Sequence, residues 1–230
     1  MYIKEDCWLK DNCNHIDCKS VMCPRQYLTD KFYDNAFISN KDKIRSSIDP
    51  IPDLDGTDFK QFAELRAIAD NIVSFVEDGN NLYIYSSCPG TGKTSWALRL
   101  VHAYIDNIWY KTSKECPVLF INVPRYLLAI KDNITDRSEY VQHIKDNILT
   151  CDIVVWDDIG TKSATSFEHE TLLSIIDTRI CEGKTNIYTS NLSGDDLSIF
   201  VGPRLYSRIY NYSKHIEFTG KDKRPNYEGL

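Results

Sequence analysis

Apolar residues along this chain alternate between short continuous runs and stripes of helical spacing. The strand-length segments are Leu82 to Tyr85, Val118 to Val123 and Ile153 to Trp156, with the more mixed Asn186 to Thr189 and Ile216 to Phe218. Each has strand length and predicts a buried β-strand; Ile153 to Trp156, wholly apolar, belongs at the sheet centre. The stripes lie before and between the runs. Phe62, Leu65, Ala69, Ile72, Val73 and Val76 predict one helix; Ala97, Val101, Tyr104 and Ile108 predict a second. Tyr126 to Ile130, then Tyr140, Val141, Ile144 and Ile148, mark a helical region. Phe167, Leu172, Leu173, Ile175, Ile176 and Ile180 form another helix, with Ser166 as its cap and Gly183 past its end. Leu197, Phe200, Val201, Leu205 and Ile209 mark the last, interrupted at Gly202-Pro203. Strand and helix in strict alternation predict a parallel sheet with helices on both faces, an α/β three-layer sandwich.

The stretch before this pattern reads differently. Residues 24 to about 58 carry Pro24, Pro50, Pro52 and Gly56 and a charged run from Lys41 to Arg45, which suits a connector with a short helix over Tyr27 to Tyr33. The expected division is an N-terminal segment with linker at 1–50 and an α/β domain at 51–230.

Between the first strand and its helix stands Ser87-Cys88-Pro89-Gly90-Thr91-Gly92-Lys93-Thr94. A glycine-rich turn from strand to helix lets backbone N–H groups close around phosphates, and the helix N-terminus adds partial positive charge. Lys93 can reach the β and γ oxygens and Thr94 can hold Mg²⁺. With Ser95 following, residues 87–95 are the candidate ATP-binding set; serine at 87, where the strict pattern has glycine, is its one departure.

The third strand ends in Asp157-Asp158. Open α/β sheets bind ligands at strand C-terminal ends, so this pair can face the phosphate loop. Asp157 is assigned to Mg²⁺ and Asp158 to the attacking water. Thr189-Ser190-Asn191 ends the fourth strand and makes Asn191 a candidate sensor of the γ-phosphate. Arg204 and Arg208, four residues apart on the next helix, share one face. Either they are a solvated basic face, or Arg208, with Arg204 beside it, reaches a neighbouring subunit's γ-phosphate.

With 230 residues and a formal net charge of −6, the chain suits one α/β domain with a small appendage and is not a general polycation. It has no apolar run of membrane-spanning length and no apolar core of a signal peptide near its start, so a cytoplasmic location is expected. Four of the eight cysteines, Cys7, Cys13, Cys18 and Cys23, crowd the first two dozen residues, with His15 among them. Too short and polar for its own core, that segment gains order from a tetrahedral Zn²⁺, worth about 10–16 kcal/mol in small peptides. His15 can replace any one cysteine, and an iron–sulfur cluster would use the same ligands.

Phosphate loop, double-aspartate strand end, Thr-Ser-Asn turn and Ser-Arg helix, in this order, resemble the AAA+ ATPases of the DnaC/DnaI helicase-loader type. Their phage relatives and the IstB-type transposition ATPase share that core. The resemblance implies a P-loop NTPase with a five-stranded parallel sheet and a reduced lid. It implies slow ATP hydrolysis through Lys93, Asp157, Asp158, Asn191 and an arginine finger within Arg204 to Arg208. It also implies self-association through the ATP sites, a hexameric replicative helicase as partner, held by the cysteine-rich segment, and single-stranded DNA contacts, for which Arg125, Lys131 and Lys145 are candidates. A phage origin would put the protein in the host cytoplasm. A non-catalytic helicase-binding adaptor or inhibitor, a transposition ATPase and a metabolic P-loop kinase are the rival readings. Lys221, Lys223 and Arg224 offer either a second basic sensor or a disordered basic tail.

Overall fold

A computed structural model describes residues 23–52, 56–132, 138–161 and 165–224. These form five strands: β1 (Asn81–Tyr85), β2 (Val118–Asn122), β3 (Ile153–Asp157), β4 (Thr185–Ser190) and β5 (Ser213–Glu217). All pair in parallel, in the spatial order β2-β3-β4-β1-β5. The order reverses at β1: the chain leaves β1 for the far edge at β2, returns through β3 and β4, then crosses to β5. Their carboxyl ends bring the phosphate loop, the acidic pair and the Thr-Ser-Asn turn to one edge.

Period-two alternation divides each strand between two cores. Leu82, Ile84, Ile153, Val155 and Ile187 face α3 (Phe59–Asp70), α4 (Ile72–Glu77) and α5 (Lys93–Ile108). Tyr83, Val154, Trp156 and Tyr188 face α6 (Val123–Asp132), α7 (Glu139–Asn147), α8 (Ser166–Cys181), α9 (Gly194–Val201) and α10 (Pro203–Asn211). The five-stranded parallel sandwich expected from the apolar runs is therefore present.

Local differences have local causes. The single stripe from Phe62 to Val76 is two helices, broken where Asn71 leaves the helical region at φ −118° and ψ 28°. Helix α8 is capped by Thr165 and not by Ser166. The Thr165 side chain accepts from the Glu168 N–H while the Glu168 carboxylate accepts from the Thr165 N–H, a reciprocal pair that Ser166 cannot make.

In the stretch read as a connector, the short helix expected over Tyr27 to Tyr33 lies within the longer α1 (Pro24–Asn35), and α2 (Asn40–Ser46) follows it. Phe32, Tyr33, Ala36 and Ile38 enter the same core as α5, and the Phe120 N–H of β2 donates to Ala36 O at 3.0 Å. Ion pairs Arg25–Asp106 and Arg99–Asp49 and a hydrogen bond from Arg45 to Ser95 Oγ tie this layer to α5.

At the opposite end of the sheet the Arg179 guanidinium is wholly buried. It donates to Ile148 O (2.6 Å), Cys151 O (3.1 Å), Thr185 O (2.7 Å) and Asn186 Oδ1 (2.9 Å), clasping the starts of β3 and β4.

Candidate functional site

Two glycines make the phosphate loop possible. Gly90 at φ 71° and Gly92 at φ 106° hold left-handed backbone that a side chain would strain, and Gly92 forms the N-cap of α5. Within the loop the Cys88 N–H donates to Ser86 Oγ at 3.1 Å. The Thr91 hydroxyl is buried with no partner, a polar group left unpaired in a loop built from donors.

Lys93 opens α5, so its side chain rises from the helix N-terminus into the loop. It is 6 % exposed, and its ammonium donates to Cys88 O at 3.1 Å. Burial lowers its pKa, against the opposing pull of Asp158. An ammonium paired only with a carbonyl in a buried loop favours an anion beside it.

Thr94, one residue on, points at the acidic strand end. Its Oγ donates to Asp157 Oδ1 at 3.0 Å, reaching past β4, which lies between β1 and β3. Thr189 on that intervening strand donates to the same oxygen at 2.8 Å. Asn122, the β2 residue in register with Asp157, lines the same cavity as the carboxylate and favours its charged form. Burial and the neighbouring Asp158 raise the Asp157 pKa; the donors Thr189, Thr94 and Asn122 oppose the rise. A buried carboxylate beside a second carboxylate and a helix-start hydroxyl is a donor set that fits Mg²⁺. A cavity of about 210 Å³ opens next to it, lined by Thr94, Asn122 and Asp157 and roofed by Phe37, Asp42 and Tyr140.

Asp158 has left-handed backbone at φ 59°, and its N–H donates to Thr189 Oγ at 3.0 Å. Asp158 is half-buried and shares a pocket lining with Gly160 and Thr161, and its charge acts on both Asp157 and Lys93. Asn191 follows β4 at the same sheet edge and is exposed. Ser190 beside it is structural, its Oγ donating to Ile159 O at 2.7 Å.

The arginines of α10 do not join this cluster within the monomer. Arg208 pairs through Nε with Asp177 of α8 at 2.5 Å and lies over the Tyr212 ring. Arg204 is exposed. Of the cations considered for DNA, Lys131 pairs with Glu168 at 3.0 Å and Arg125 lies 5.0 Å from the Tyr140 ring centre, while Lys145 is exposed. Cys7, Cys13, Cys18 and His15 lie outside the described residues, and among the described residues no cluster of three metal-ligating side chains occurs.

Thr189 and Asn122 are the site residues that sequence reasoning missed. Both are polar residues closing apolar strands, a signal that was present.

Solved structures share this fold. A DnaI structure superposes with a TM-score of 0.60 at 20 % identity, covering 82 % of this chain and 95 % of that one. A DnaC helicase loader gives 0.56 at 22 % identity over 69 % of this chain and 88 % of the other. The replication initiator DnaA bound to AMPPCP and single-stranded DNA gives 0.59 at 16 % identity over 79 % of this chain and 51 % of that one. Among curated sequences, the replicative helicase loader DnaC of Escherichia coli K12 is 26 % identical over 133 residues, 57 % of this chain and 51 % of DnaC. The uncharacterized protein YdaV of the same organism is 24 % identical over 165 residues, 71 % of this chain and 62 % of YdaV. The chain thus spans between half and two thirds of the curated relatives it matches. The family model described as IstB-like ATP binding protein matches residues 42–210, so the chain belongs to the IstB-like ATP-binding family.

Proposed function

We propose that this protein is an ATP-controlled loader that places a hexameric replicative helicase on single-stranded DNA. The observation that carries the reading is the bond between Thr94 and Asp157, 3.0 Å across the sheet edge, which joins the phosphate loop to the acidic strand end. Likeness to loaders of the DnaC type supports the choice of partner.

In this reading the loop N–H groups and Lys93 hold the β- and γ-phosphates, with the Thr91 hydroxyl finding its missing partner there. Thr94 and Asp157 would hold Mg²⁺, which would supply charge neutralisation at the phosphate oxygens. Asp158 next to Asp157 orients the attacking water and accepts its proton. Asn191 lies at the end of the strand that carries Thr189 and senses the γ-phosphate. Arg208, released from Asp177, or Arg204 beside it reaches the site of a neighbouring copy, so that self-association and nucleotide state are one equilibrium. Cys7, Cys13, Cys18 and Cys23 hold zinc, with His15 as the alternative ligand, and the segment they fold docks the helicase.

The test is helicase deposition on a primed single-stranded circle, followed by strand displacement. Loading should require ATP and fall to background with Lys93→Ala; full loading by that variant would end the reading. A second reading, an ATPase serving transposition, is favoured by the family model. It requires ATP-dependent binding to duplex DNA without stimulation of a helicase, which a gel-shift comparison of duplex and single strands decides.

A further inference from the structure

Past β5, residues 218–224 stay against the molecule. The Phe218 N–H donates to Tyr85 O at 2.8 Å, and the ring packs 5.4 Å from Phe62 in the core. Next, the buried Asp58 takes hold. Its carboxylate accepts from the Thr219 N–H (2.8 Å), the Thr219 hydroxyl (3.1 Å) and the Gly220 N–H (2.8 Å). The strap that follows is thereby aimed across the phosphate loop. The Lys223 N–H donates to Gly90 O at 3.1 Å, and its ammonium reaches Ile51 O at 3.2 Å over the Phe62 ring. Between these anchors the Asp222 carboxylate is pressed against the loop. A Cβ at Gly90 would fall 1.6 Å from Asp222 Oδ1. The same oxygen accepts from the Arg224 N–H at 2.9 Å, and the Arg224 Nε lies 3.6 Å away.

We propose that Asp222 sets the response of the nucleotide site to phosphate charge, as the displaceable part of a C-terminal strap that Asp58 positions over the phosphate loop. The proposal rests on the nucleotide-binding reading above. A loop with this many donors attracts negative charge, and the strap lays the Asp222 carboxylate against that loop at Gly90. A polyphosphate entering the same loop repels that carboxylate, and the repulsion grows with each added phosphate charge. The strap then lifts beyond its Asp58 anchor, the Lys223–Gly90 bond breaks, and Arg224 loses its carboxylate and gains phosphate as a partner. ATP opens the strap more readily than ADP does, so strap position reports which nucleotide is bound.

Asp222 lies on the surface, so substitutions there leave the fold alone. Full-length protein, Asp222→Asn, Asp222→Ala and Asp58→Asn would be titrated with ATP and ADP in the presence of Mg²⁺, at low and high salt. Both Asp222 variants should bind ATP about tenfold tighter than the parent, with a smaller gain for ADP, and high salt should shrink the difference. Asp58→Asn, which frees the strap without removing the charge, should reproduce part of the gain. Hydrogen exchange should show the Lys223 amide protected in the free protein and exposed on ATP binding. Unchanged or weaker ATP binding by Asp222→Asn, or equal gains for ATP and ADP, overturns the proposal. Failure of the parent and every variant to bind any nucleotide removes the site reading itself and the proposal with it.

Discussion

Thr189 donates its hydroxyl proton to Asp157 Oδ1 at 2.8 Å, and the same oxygen of Thr189 receives the Asp158 N–H at 3.0 Å. One hydroxyl on the strand between phosphate loop and acidic pair thus fixes both carboxylates: the first by direct contact, the second through its backbone. Thr189→Val keeps shape and removes both bonds. ATP turnover should fall by about ten- to a hundredfold, the cost of one or two lost bonds to a buried carboxylate and amide, while nucleotide affinity changes less than threefold. Single-turnover hydrolysis set beside a binding titration separates the two.

Arg208 spends its charge on Asp177 in the monomer. If it acts on a neighbouring copy, Arg208→Ala should bind ATP normally yet hydrolyse it at least a hundredfold more slowly. An equal mixture with Lys93→Ala should recover part of the activity, because mixed contacts join an intact loop to an intact arginine. Undiminished turnover by Arg208→Ala would leave the residue a tie between α8 and α10, with Arg204→Ala then the variant to assay.

Arg179 is a stability residue. Its removal in Arg179→Leu would take a charged donor from the carbonyls of Ile148, Cys151 and Thr185 at a buried site. The expected loss is about 3–5 kcal/mol, read as a lower urea midpoint at unchanged slope.

His102 on α5 gives the fold a pH dependence of known sign. It is buried and bonded through Nδ1 to the Tyr33 hydroxyl at 2.8 Å; burial, with Arg99 nearby, lowers its pKa from 6.5 to about 4. Between these values the unfolded chain binds a proton that the folded one refuses. Stability should therefore be full above pH 6.5, fall as pH drops towards 4 and level off below it, by about 3 kcal/mol in all. Urea midpoints for the parent and His102→Gln across that range check it; the variant should lose most of the slope.

The centre of the sheet was legible because a strand buried on both faces, such as Ile153 to Trp156, is written as a continuous apolar run, and the loop because its chemistry is local; β5, an edge strand reading Ser-Lys-His-Ile-Glu, left a fainter mark. Helix α1 was barely legible: its buried face mixes Gln26 and Thr29 with Phe32 and Tyr33, so it shows little apolar stripe. The cap at Thr165 could have been read from Thr165-Ser166-Phe167-Glu168, where the glutamate stands three residues after the threonine and only two after Ser166. The strap could not. Asp58 meets Thr219 across 161 positions of chain, and nothing in either neighbourhood announces the other.

The layer formed by α1 and α2 has a mechanical consequence. Together with Asp49 just past α2, it grips α5, the helix that begins with Lys93 and Thr94, at Asp106, Arg99 and Ser95, from one end almost to the other. A pull on the chain ahead of Pro24 is therefore delivered along the whole spine of α5, and, if the loop at its start holds a nucleotide as proposed, such a pull is a handle on that nucleotide that leaves the sheet untouched.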